Sequence, residues 1–174
     1  MEKQVNRNIP VIFQNVKTYK NDDIRFEKIR IWLMHTGLNL NSSVFTKESV
    51  ERAIPSLVNT PILAFIDENS AGELDFSDHR MVLHRSKDGD VSVKYLGQAI
   101  GLIPEQNNAH WETRVTDSGE EKEYLVVDGL LWTKWNEPID IIKRKKFTSQ
   151  SMELSDEYTG HWNDDGQFVF ETFK

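Results

Sequence analysis

Two stretches near the start of the chain have the character of strands. Val11-Ile12-Phe13-Gln14-Asn15-Val16 is rich in β-branched and aromatic side chains, and from Phe26 to Leu33 the residues Phe26, Lys28 and Arg30 alternate with Glu27, Ile29 and Ile31. Tyr19-Lys20-Asn21-Asp22-Asp23 reads as a polar turn between them, and Thr36 to Ser43 as a loop. The period then changes. Thr46 is placed to cap a helix, Glu48 suits its positive first turn, and Val50, Ala53, Ile54 and Leu57 recur at helical spacing. This predicts a short amphipathic helix from about Lys47, kinked or ended by Pro55.

Pro61 to Ile66 has the continuous apolar pattern of a buried strand, and Asp67 to Asp75, with no apolar period, reads as a mobile surface loop. Met81-Val82-Leu83-His84-Arg85 and Val91-Ser92-Val93-Lys94-Tyr95-Leu96 flank Lys87-Asp88-Gly89-Asp90, and an Asp-Gly pair between two such runs signals a hairpin. Further strands are expected at Gln98 to Ile103 and at Tyr124 to Trp132, with an acidic turn over Asp117 to Glu123. A second short helix follows, capped by Asn136, with Glu137 and Pro138 in its first turn and Ile139 and Ile142 on one side. Phe147 to Leu154 reads as a strand, Thr159 to Gly166 as a turn, and Gln167 to Lys174 as a last strand without a closing turn signal. That ending predicts one domain over residues 1–174 whose native continuation is missing. No repeat, heptad or low-complexity tract interrupts the pattern.

Composition narrows the class. Leu, Ile, Val and Phe exceed a quarter of the 174 residues, enough for a sizeable core. The complete lack of Cys excludes disulfides, thiolate nucleophiles and Cys-ligated zinc or iron-sulfur clusters. No apolar run approaches the length needed to span a bilayer, and Met1 to Arg7 lacks a secretory signal, so a soluble, cytoplasmic protein is expected. The net charge of −7 opposes long-range attraction to nucleic acid or anionic lipid. Lys143-Arg144-Lys145-Lys146 closes the second helix, where cations offset the negative end of the helix dipole. The five Trp residues read as core or rim rather than a base-stacking platform.

The chain has no phosphate-binding glycine loop, no HExxH, no EF-hand loop and no GxSxG elbow. Its chemistry must come from Ser, His and carboxylates. His79 lies at a loop-to-strand junction, held yet accessible. Ser149, Ser151 and Glu153 share one face of a strand by period-two alternation. Serine catalysis needs a base for the hydroxyl proton, donors for the oxyanion and a group that orients the base. Asp78, His79 and His84 meet no standard metal-ligand spacing, so no metal is expected.

The run Tyr95-Leu96-Gly97-Gln98-Ala99-Ile100-Gly101 after His79, with Ser151-Met152-Glu153 after a short helix, resembles the prohead (head maturation) serine proteases of tailed phages and prophages. Those resemble the herpesvirus assemblin proteases in fold. The similarity runs from about Ile29 to the end. It implies an α+β, mainly antiparallel, barrel-like sheet with a few peripheral helices. It also implies a viral-assembly endopeptidase that cleaves scaffold and capsid-protein segments, and often itself, inside the assembling procapsid in the host bacterial cytoplasm.

By the same resemblance His79 is the general base and Ser151 the nucleophile, with Ser149 the alternative, two positions early. The third member is Glu171 or His161, or falls beyond Lys174. No cofactor or metal is needed. Capsid and scaffold proteins are the expected partners, together with self-association, and neither nucleic acid nor membrane is involved. The rival expectation is a non-enzymatic scaffold or capsid-assembly domain with a protease-like fold.

Overall fold

A computed structural model describes residues 11–14, 23–39, 41–77, 81–115, 119–145, 147–150 and 152–174, with backbone alone for 11–14, 94–95 and 147–149. The first strands are β1 (Val11–Gln14), β2 (Phe26–His35), β3 (Gly37–Leu38) and β4 (Ser43–Phe45). The expected loop over 36–43 thus contains two short strands. They are turned by Asn39, whose Oδ1 accepts from the backbone N–H of Asn41 (2.8 Å) and Ser43 (3.1 Å), so the side chain replaces a backbone acceptor in the turn.

Helix α1 (Lys47–Ala53) begins where the cap predicted it. Thr46 Oγ1 accepts from Ser49 N–H at 3.1 Å, and Val50 and Ala53 are buried. Pro55 ends the α-helix as expected, by passing it into a 3-10 turn, Ile54–Leu57, that keeps Pro in its first turn where its missing N–H costs nothing. Thr46→Ala should cost about 1 kcal/mol, the usual worth of such a cap. The check is a urea midpoint that shifts without a change of slope.

Next come β5 (Pro61–Ala64), β6 (Ile66–Glu68), β7 (Leu74–Phe76), β8 (Met81–Arg85), β9 (Val91–Tyr95), β10 (Gln98–Leu102), β11 (His110–Val115) and β12 (Glu121–Trp132). Helix α2 (Asn136–Lys145), β13 (Phe147–Gln150), β14 (Thr159–Trp162) and β15 (Phe168–Thr172) complete the order. The acidic segment after Ile66 is a paired hairpin, β6–β7, not an unstructured loop. Asn69 Oδ1 accepts from Ala71 and Glu73 N–H, and Gly72 takes the positive φ the turn requires. The β8–β9 hairpin forms with the expected turn, Gly89 at φ +94°.

The main sheet has the order β13-β1-β2-β12-β10-β5, with β11 also on β12. All its pairs are antiparallel. Among the described residues β13 and β5 stand at its two ends, so the sheet is open. A second sheet runs β14-β15-β4-β3, in which β15 and β4 pair parallel. The fold is therefore α+β and mostly antiparallel, with two helices. β5 is an edge strand with Leu63 outward at 55 % exposure, not the buried strand its apolar run suggests, and an edge is where Pro61 is tolerated. No helix among the described residues is long and apolar enough to cross a membrane.

One face of the main sheet, with Ile29, Ile31, Val127 and Leu131 buried, packs with Val50, Ala53 and Ile142 of the helices. The second sheet adds Phe45, which stacks on Phe170 (centroids 4.5 Å apart) and meets Phe173 edge-on at 5.1 Å. The basic end of α2 is spent locally, as its position predicted. Lys145 Nζ lies 2.7 Å from Asp75, Lys143 Nζ 3.1 Å from Glu27, and Arg144 donates to the Leu74 carbonyl. Lys145 also holds the Asp75 carboxyl below the usual carboxylate range.

Candidate functional site

A cavity of about 950 Å³ opens against the core face of the main sheet. Its floor is Ile29, Ile31, Leu125 and Leu131, the 3-10 turn contributes Ile54 and Leu57, and β5 forms one side. Two separate segments reach its mouth. Ser77 follows the β6–β7 hairpin and is fixed by its N–H donating to the Phe65 carbonyl at 2.9 Å. Gln150 ends β13, and Met152 and Glu153 come after it; all three line the cavity.

His79, Asp78 and Ser151 themselves lie outside the described residues. Their described neighbours, Ser77 on one segment and Gln150 and Met152 on the other, border the same cavity. Ser149 stands in β13 opposite Ile12. β13 ends at Gln150, so Glu153 belongs to no strand, and the expected single strand from Phe147 to Leu154 is corrected. The chain beyond it still alternates. Met152 and Leu154 pack against the core while Glu153 and Ser155 are exposed, and Ser155 N–H donates to the Lys174 carbonyl at 3.0 Å. This fastens the segment to Lys174, next to the buried Phe173.

Glu171 and His161, the two residues weighed for the third role, are brought together by the β14–β15 pairing. Their side chains meet at 3.0 Å, and because a carboxylate only accepts, His161 Nδ1 carries the proton. Both are more than half exposed, and neither is among the described residues that line the cavity. β15 turns Phe168 and Phe170 inward, which leaves Glu171 on the outer side, where Arg52 Nη2 binds its backbone carbonyl at 2.7 Å. Thr159 to Trp162, expected as a turn, is strand β14, and the turn is confined to Asn163 to Gly166. His84 is exposed on β8, opposite Ser92.

A polar cluster on the other face of the main sheet was not anticipated. His110 Nδ1 lies 2.7 Å from the Asn108 carbonyl and Nε2 3.0 Å from Glu112, whose second oxygen accepts from Trp32 Nε1 at 3.1 Å. Arg30 approaches Glu112 at 3.4 Å, and Lys28 pairs with the buried Asp128 at 2.7 Å. Alternation along His110-Trp111-Glu112-Thr113-Arg114 would have revealed the face, had β11 been recognised as a strand.

Both partners of His110 are acceptors, so they favour the ring's doubly protonated form. The Asn108 carbonyl first, and Glu112 second, raise its pKa, against some desolvation and the charge of Arg30. His35 is the opposite case. Half-buried edge-on to Tyr124, it has its pKa lowered chiefly by burial, while the Thr36 carbonyl at 2.9 Å opposes the shift.

A raised native pKa gives His110 a stabilising contribution that is full below about 6.5 and fades as pH climbs through the raised value. The lowered value of His35 gives a contribution that is full above about 6.5 and is lost as pH falls through it. The deficit of His110→Gln against wild type should therefore be larger at pH 5.5 than at pH 8.5, and that of His35→Gln larger at pH 8.5. Urea midpoints at the two pH values test both, and equal deficits would refute the assignment.

The family model of the YonD N-terminal domain matches residues 25–174. The chain belongs to this family. The matched range takes in β2 to β15, and so the second sheet and all of the main sheet but β1, the cavity and the positions of His79, Ser151 and Glu171. No curated protein and no solved structure matches the chain.

Proposed function

We propose that this member of the YonD N-terminal domain family is a serine endopeptidase of phage head maturation, with His79 as general base and Ser151 as nucleophile. The observation that supports it is the convergence of two distant segments on one cavity. Ser77, two residues before His79, and Gln150 and Met152, on either side of Ser151, border the same roughly 950 Å³ space. A volume of this order suits the side chains of a bound peptide. In this reading the antiparallel sheet is the core of a barrel-like, herpesvirus protease-like fold. Ser151 attacks the scissile carbonyl as His79 takes its proton, backbone amides stabilise the oxyanion, and water resolves the acyl-enzyme. The substrates are capsid and scaffold segments within the procapsid.

The rival, a non-enzymatic assembly domain, is favoured by the β8–β9 hairpin. Met81, Leu83, Val91 and Val93 are each more than half exposed on one face of a ribbon that pairs with no other described strand. Co-expression with capsid and scaffold partners, followed by intact mass measurement, separates the two. Cleaved partners with wild type and full-length partners with Ser151→Ala support the endopeptidase. Full-length partners in assembled shells with every variant support the assembly domain.

A further inference from the structure

The cavity is more specific in its chemistry than a peptide-binding cleft need be. Its floor and sides are mainly apolar, with Ser56, Thr60, Ser77, Gln150 and Ser155 as the uncharged polar residues among those described, so a charged side chain that enters loses more hydration than these few groups return. Among the described residues its charged lining is Glu153, Asp156 and Lys174; Lys174 is committed to Glu157 at 2.8 Å, and Glu153 stands exposed as an acidic group at the mouth.

A second, smaller cavity of about 410 Å³ shares Ala64, Phe65 and Ile100 with the first, and so lies along the same end of β5. Its lining is mixed, with Leu96, Trp135 and Pro138 beside Gln98, and Glu137 as the one charged residue among those described. β5 is an edge strand, and an edge takes another extended segment by backbone pairing, with alternate side chains offered to the pockets beside it.

We infer that the segment recognised here is an extended peptide that places a large apolar side chain in the larger cavity and a lysine or arginine beside it, toward Glu137 and the acidic mouth. This rests on the endopeptidase reading of the same site and gives its substrate class. The long alkyl stem of a basic residue suits the apolar wall of the smaller cavity, and its charge answers Glu137. An acidic residue at either position is disfavoured, by desolvation in the first and by repulsion in the second.

The test uses fluorescein-labelled peptides of one frame, carrying Leu or Asp at one position and Lys or Glu at the next. They are titrated against the full Ser151→Ala chain, in which binding is read without turnover, and incubated with wild type for cleavage by mass. The Leu-Lys peptide should bind at least about 10-fold more tightly than the Asp-Lys peptide, the lower range for an apolar pocket. It should exceed the Leu-Glu peptide by about threefold or more, and Glu137→Lys or Glu153→Lys should narrow that gap. High salt should narrow it as well.

Equal binding of all four peptides, binding of none, or preference for the acidic ones overturns the inference. The two readings fail differently. Cleavage that depends on Ser151 but ignores the apolar and basic positions leaves the endopeptidase and removes this specificity. The expected binding order, with capsid and scaffold partners uncut by wild type, leaves the recognised segment and removes the endopeptidase.

Discussion

Co-expressed with capsid and scaffold proteins, the Ser151→Ala chain is expected, on the proposed endopeptidase reading, to leave them at full length, and His79→Ala to do the same. Loss of a serine nucleophile or of its base removes about 10⁴-fold to 10⁶-fold of rate, because without either the hydroxyl cannot form the acyl-enzyme. The two groups act as one unit, so the double variant should be no slower than either single variant. Ser149→Ala should retain cleavage. Ser149 belongs to β13, paired with β1 opposite Ile12, and falls two positions early against the resemblance that nominates Ser151. Glu171→Gln should also cut, within about threefold of wild type. Its carboxylate is bound to His161 on the outer side of β15, exposed to water, and is not among the described residues that line the cavity. Intact mass of the partners reads all five variants. Cleavage that survives both Ser151→Ala and His79→Ala would refute the assignment, and cleavage lost with Glu171→Gln would show that Glu171 leaves His161 in the assembled shell.

The legibility of this fold in its sequence follows the range of the interactions. Helix α1 was readable because everything that starts and stops it lies within ten residues: the Thr46 hydroxyl, the Val50 and Ala53 stripe, and Pro55. The β8–β9 hairpin was readable for the same reason, since Asp88-Gly89 sits between two matched runs. β11 was not, because its polar residues are explained only by distant partners. His110, Glu112 and Arg114 look like loop residues until Arg30 and Trp32 of β2 are seen on the same face, with the Arg114 guanidinium 4.6 Å from the Trp32 ring centre.

Glu121 to Glu123 suggested a turn, yet they pair with Val115, Arg114 and Thr113, and Glu123 binds Lys47 at 2.8 Å. β14 was hidden by Gly160, which reads as a turn residue but is small because the Phe168 ring lies over it. The site divides in the same way. The resemblance to prohead proteases nominated His79 and Ser151, which lie outside the described residues, whereas the cavity shared by their neighbours is a product of tertiary packing that no local pattern records.

Gly101 is the position where a single methyl group should do most harm to the fold. It stands in β10 opposite Leu131 of β12, and β10 also carries an irregular register against β5 between Ala99 and Gly101. A Cβ added there would lie 2.2 Å from the Leu130 carbonyl oxygen and 2.9 Å from Leu131 Cδ2. The first contact is with backbone in the middle of the main sheet, so it cannot be relieved by rotating a side chain. Either β10 shifts away from β12, loosening the pairs Gly101–Leu131 and Leu102–Leu130, or the bulge against β5 is redrawn.

Gly101→Ala should therefore cost about 3 kcal/mol, at the upper end for overpacking. For a chain of this size that corresponds to a fall in Tm of about 6 to 12 °C. Gly97, immediately before the same strand, is the control. A Cβ there meets Leu63 Cβ at 3.7 Å and the Ala64 carbonyl at 3.9 Å, which is ordinary contact, so Gly97→Ala should stay within about 0.5 kcal/mol of wild type. Thermal and urea unfolding of the two variants side by side make the comparison, and equal stability of both would mean that β10 does not run against β12 in this register. Because β10 and β5 together carry one side of the cavity, the Gly101→Ala chain should also lose the proposed cleavage at temperatures where wild type and Gly97→Ala retain it.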